Sequence, residues 1–82
     1  MPEPIKPADL VGTAIGCDPR SLSEDSEMYR TFGWDSFGHL NVLLALEREY
    51  GITVDDDAVD VYRTMHGIRR RYEALREGLI TQ

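Results

Sequence analysis

The stretch from Phe37 to Tyr50 contains no proline, closes on Gly51, and follows directly on Asp35 and Ser36. Either of those two residues supplies an N-cap and Gly51 a helix stop, so the segment is expected to be the principal helix of the chain. At about 100° per residue, Val42, Leu43, Leu46 and Tyr50 fall on one face, while Phe37, Leu40 and Leu44 fall on another. A helix that only covers a small core is apolar along one stripe. This one is apolar too widely for a single contact, so its second face should meet another helix, a ligand or a partner.

Other segments follow the same logic. Leu10, Val11, Ala14 and Ile15 recur at helical spacing between Pro7 and Gly16, residue types suited to the start and end of a helix. Cys17-Asp18-Pro19-Arg20-Ser21 reads as a turn. Leu22 to Trp34 reads as a long acidic loop anchored by Leu22, Met28, Tyr29 and Phe32. Loops of that length in small domains tend to carry function. Asp56 or Asp57 can cap a short helix ending near Tyr62, and a last helix starts near Thr64. Its apolar stripe is Met65, Ile68, Tyr72, Leu75 and Leu79. With no alternating strand-length run, the fold class is all-α. Residues 1–82 are read as one domain, with an irregular segment over 1–6.

Charge and composition narrow the function classes. The net charge of −6 argues against nucleic-acid binding, which depends on neutralising phosphates. Residues 18–60 hold 11 acids against three arginines, whereas 61–82 are net basic, a layout that steers basic partners toward the middle. Arg69-Arg70-Arg71 is read as a solvated face. No apolar run reaches the ~20 residues of a membrane span, and no secretory signal is visible, so a cytoplasmic monomer is expected. Cys17 alone allows no internal disulfide, and with His39 and His66 it makes no recognisable metal site. Phosphate-loop, metalloprotease and nucleophile-elbow patterns are missing too, so no catalytic residue is assigned.

What remains is Gly33-Trp34-Asp35-Ser36-Phe37, a turn that delivers a serine to the start of the principal helix. A group esterified to that hydroxyl as a phosphodiester would sit beside first-turn N–H groups at the positive end of the helix dipole. Trp34 is expected to pack over the helix start, and His39 to be an exposed first-turn residue.

The run Gly33-Trp34-Asp35-Ser36-Phe37-Gly38-His39-Leu40, followed by Leu46-Glu47-Arg48-Glu49-Tyr50-Gly51-Ile52, resembles the acyl carrier proteins. The resemblance extends from Leu22 through Ile68. It implies a four-helix bundle with a short third helix, from Asp57 to Tyr62, and a long first loop. It also implies a 4′-phosphopantetheine arm on Ser36, installed from coenzyme A by a phosphopantetheinyl transferase, with Asp35 capping the helix and marking the site. By the same resemblance the carrier is non-catalytic and holds acyl cargo as a thioester on the arm. Phe37, Leu40, Leu44, Glu47 and Glu49 would face acyl-loading and acyl-transferring biosynthetic enzymes, and a cleft between Leu46 and the short helix would shelter the cargo. Phe37 in place of a leucine, and Asn41 and Arg48 in place of acids, depart from fatty-acid-synthesis carriers and point to a specialised pathway such as polyketide assembly. A peptidyl or aminoacyl carrier and an unmodified helical interaction module remain as alternatives.

Overall fold

A computed structural model describes residues 3–78. Four helices follow in order: α1 Pro7–Ile15, α2 Ser36–Tyr50, α3 Asp56–Val61 and α4 Met65–Arg76, with a single 3₁₀ turn at Pro19–Ser21. Among the described residues the only β feature is one isolated bridge, Glu27 to Thr64, so the all-α expectation holds. Helices α1, α2 and α4 pack on one another. Their shared core contains Leu10, Val11, Val42, Leu46, Ile68 and Tyr72, with Trp34 closing it from the loop side.

Side-chain caps explain where three of the helices begin. Asp35 Oδ1 accepts from the Gly38 amide at 2.8 Å, Asp55 Oδ1 from Ala58 at 2.8 Å, and Thr64 Oγ1 from Gly67 at 3.0 Å. Each satisfies a donor that the helix itself leaves without a partner. The cap of α3 is Asp55, not Asp56 or Asp57. The helix therefore starts and ends one residue earlier than expected, because Asp55 is the residue with the extended backbone that a cap requires. Helix α1 has no side-chain cap and instead places Pro7 in its first turn, where a missing N–H costs nothing. In the 3₁₀ turn, hydrogen bonds from Arg20 hold the Asp18 carboxyl below the usual carboxylate range.

The long loop is tied to the bundle by its backbone. Met28 N–H donates to the Arg63 carbonyl at 2.8 Å and Met65 N–H to Ser26 at 2.9 Å, so the loop joins the α3–α4 junction. Leu22 and Met28 are half-buried anchors, as expected, but Phe32 is 97% exposed and Tyr29 63% exposed. Those two aromatics point outward, while Leu22, Met28 and Trp34 supply the loop's side-chain contacts with the core. At the N-terminal end, Tyr50 Oη–H donates to the Ile5 carbonyl at 2.6 Å. Burial raises the pKa of that hydroxyl far above the ordinary tyrosine value, with smaller contributions from Tyr72 and Glu49.

In α4 the buried stripe is Met65, Ile68 and Tyr72, with Leu75 half-buried; Leu79 lies outside the described residues. The arginine run is not uniformly solvated. Arg69 pairs with Glu24, whereas Arg71 is half-buried and its Nη2 donates to the Tyr50 carbonyl at 3.4 Å. Arg71 lies three residues after Ile68 and next to Tyr72, both core residues.

Gly38 shows that close approach outweighs helix propensity in α2. A Cβ at this buried position would run into the Gly33 carbonyl oxygen and lie 3.3 Å from Ile15 Cγ2. Propensity alone favours alanine in a helix by about 1 kcal/mol, but overpacking against fixed backbone costs about 1–3 kcal/mol. Gly38→Ala is expected to lower the urea midpoint. An unchanged or raised midpoint would show that Gly33 and Gly38 are not in contact.

Candidate functional site

The site is the junction of the long loop with α2. Gly33 takes a left-handed φ of 89°, and the chain then turns through Trp34 and Asp35 into the helix. Trp34 is fully buried, and its indole N–H donates to His39 Nδ1 at 3.0 Å. His39 Nε2 lies 2.9 Å from the Val59 carbonyl. Both contacts are satisfied by one neutral tautomer, with the proton on Nε2 donating to Val59 and Nδ1 accepting from Trp34. His39 is therefore a buried bridge between the loop, α2 and α3, only 2% exposed. This corrects the expectation of an exposed first-turn histidine. Its place on the helix was a visible signal, because His39 precedes Leu43, Leu46 and Tyr50 at core spacing. Its polar partners, one of them twenty residues downstream, were not visible.

Ser36 begins the helix one position after the cap, and its side chain is exposed. Asp35, not Ser36, satisfies the helix amide, so the serine hydroxyl plays no capping role. It instead shares a hydrogen bond with the Tyr29 hydroxyl, which reaches over from the loop. First-turn amides lack intrahelical acceptors, and the dipole is positive at this end, so the position suits a phosphodiester.

From Ser36 an apolar, uncharged surface runs along the helix. Phe37 is 75% exposed, Leu40 50% and Leu44 47%, with exposed Glu47 beyond them. Leu40, Leu44 and Glu47 continue the line of Ser36 at spacings of three and four. Glu49 does not join them. It lies about 140° round the helix from Ser36, pairs with Arg48 at 3.0 Å, and borders a groove of about 350 Å³ facing Leu10, Thr13 and Ala14 of α1. Leu46 itself is fully enclosed in the core. A groove beside α3 is walled by Gly51, Ile52, Ala58, Val61 and Tyr62.

Among the described residues no cluster of three or more potential metal ligands occurs, and no helix is long and apolar enough to cross a membrane. Comparison with known proteins gives two findings. The family model described as "Phosphopantetheine attachment site" matches residues 8–70. An acyl carrier protein of Phaeodactylum tricornutum (strain CCAP 1055/1) is 25% identical over 59 residues, which cover 72% of this chain and 78% of that one. The matched span takes in all of α2 and α3, all but the first residue of α1, and the first half of α4. The chain belongs to the acyl carrier protein family, whose domain is the site of covalent 4′-phosphopantetheine attachment.

Proposed function

We propose that this carrier holds its arm on Ser36 and presents acyl intermediates of a specialised biosynthetic pathway, polyketide assembly or a related one, to partner enzymes. The observation that carries the reading is the exposed Ser36 hydroxyl, free of any capping duty, at the head of an uncharged apolar stripe. When bound, the arm supplies a terminal thiol that holds cargo as a thioester. The protein's own contribution is positional. Asp35 fixes the first turn of α2 and keeps the serine outside the core, where a transferase can reach it. First-turn amides and the helix dipole stabilise the negative phosphodiester. Tethering raises the local concentration of cargo at a docked enzyme without any chemistry by the carrier.

Phe37, Leu40 and Leu44 serve as the apolar part of the docking surface, with Glu47 as its charged edge. Glu49 faces the α1 side and is left out of that surface. Incubating the chain with coenzyme A, Mg²⁺ and a broad-specificity phosphopantetheinyl transferase should add one phosphopantetheine group by intact mass. A folded chain that stays unmodified under conditions that load a control carrier would refute the reading.

A further inference from the structure

Tyr29 stands apart from the rest of the loop in its backbone and in its contact with Ser36. It is the one non-glycine residue with positive φ, 69°, among those described. For a bulky side chain that left-handed conformation is costly and persists only when its surroundings over-determine it. Its surroundings do so. Tyr29 N–H donates to the Trp34 carbonyl at 2.7 Å, and the preceding amide, that of Met28, donates to the Arg63 carbonyl at 2.8 Å. Trp34 is itself locked in the core. The result is a ring held above the surface with its hydroxyl on Ser36. The ring is mostly exposed, so packing does not account for the backbone strain.

We propose that Tyr29 is a positioning residue for the arm, anchoring its root by donating a hydrogen bond to the phosphodiester on Ser36. The inference rests on Ser36 as the attachment point. In the unmodified chain the two hydroxyls satisfy each other. On transfer from coenzyme A the Ser36 Oγ–P bond forms, the pyrophosphate P–O bond breaks, 3′,5′-ADP departs and the serine proton goes to solvent. Ser36 Oγ then has no proton to give, while a phosphate oxygen bearing negative charge lies within reach of the same tyrosine. A hydrogen bond to a charged acceptor is stronger than one between two neutral hydroxyls, so Tyr29 changes partner from serine to phosphate. The strained backbone keeps the ring in place for that exchange, so the arm leaves the protein from one side of the serine, toward the loop.

The test uses the loaded wild-type chain and loaded Tyr29→Phe, which keeps the ring and removes only the hydroxyl. Intact mass first establishes that both are loaded and that Ser36→Ala is not. Loading of Ser36→Ala, or no loading of the wild type, overturns the attachment reading itself. With both forms loaded, ³¹P NMR reads the anchor. The phosphodiester resonance of Tyr29→Phe should move from the wild-type position by more than its linewidth, toward that of the urea-unfolded loaded protein. Coincident resonances in folded wild type and Tyr29→Phe would overturn the anchor and leave the attachment reading intact. Tyr29→Gly, which relieves the positive φ, should match the wild type or exceed it in thermal stability yet show the same ³¹P displacement. A wild-type resonance retained in that variant would likewise overturn the proposal.

Discussion

Ser36→Ala is expected to abolish phosphopantetheine uptake completely while changing the unfolding free energy by no more than about 0.5 kcal/mol, the range of ordinary surface substitutions. The two halves of that expectation have separate causes. Loading needs an oxygen nucleophile at the head of α2, and alanine has none. Stability survives because Asp35 is the cap, so the serine side chain carries no backbone hydrogen bond of the helix. Alanine also has a high intrinsic helix propensity, so it adds no backbone penalty of its own. Asp35→Ala, in contrast, removes the Gly38 cap and should cost about 0.5–2 kcal/mol. The chain's other serines are engaged differently. Ser21 Oγ–H donates to the Asp18 carbonyl at 2.7 Å, and Ser26 Oγ accepts from the Ser23 amide at 2.9 Å. Ser23 Oγ accepts from the Asp25 amide at 3.3 Å. Intact mass and urea titration on the same preparation check both halves. Uptake retained in the alanine variant would move the attachment elsewhere, and a large loss of stability would make the serine a structural residue.

Much of this site was legible because its determinants are local. The spacing of Val42, Leu43, Leu46 and Tyr50 against Phe37, Leu40 and Leu44 separates buried from exposed faces without knowledge of the partner helices, and the structure keeps that division. Gly16 and Gly51 end their helices with left-handed φ values of 78° and 69°, and those stops were readable from residue type alone. What escaped was tertiary. His39 has a polar side chain on a core-facing position, and only the Trp34 indole and the Val59 carbonyl make that tolerable. By residue type Tyr29 reads as an apolar anchor, because nothing in its neighbours along the chain announces a positive φ. That conformation is held by the Trp34 and Arg63 carbonyls, five and thirty-five residues downstream of the Tyr29 and Met28 amides they accept. The choice of Asp55 over Asp56 and Asp57 as a cap was likewise undecidable among three identical side chains. It follows from the path of the chain out of α2.

Trp34→Ala is expected to cost about 3–5 kcal/mol, the range for removing a large buried aromatic, and to take much of the chain's stability with it. At about 0.05–0.15 kcal/mol per residue, a domain of this length has roughly 4–12 kcal/mol to lose. Trp34 is fully buried, and it is among the largest side chains that are. Alanine opens a cavity between the loop and α2. It also leaves His39 Nδ1 without its donor, in a site where an unpaired polar atom costs about 1–3 kcal/mol. Trp34→Phe separates these contributions. It refills most of the space but still orphans the imidazole nitrogen, so it should fall between alanine and wild type. Because both variants remove the chain's single tryptophan, urea unfolding has to be followed by far-ultraviolet circular dichroism rather than indole fluorescence. The loss should also reach the site. The Trp34 carbonyl holds the Tyr29 amide, so a loosened residue 34 frees the backbone that sets the tyrosine over Ser36. In a loaded Trp34→Phe chain that remains folded, the ³¹P resonance should therefore shift part of the way that Tyr29→Phe shifts it. A cost under about 1 kcal/mol for Trp34→Ala would mean that the indole is not the keystone of this junction. The route from core packing to the arm's root would then have to run through the Arg63 carbonyl alone.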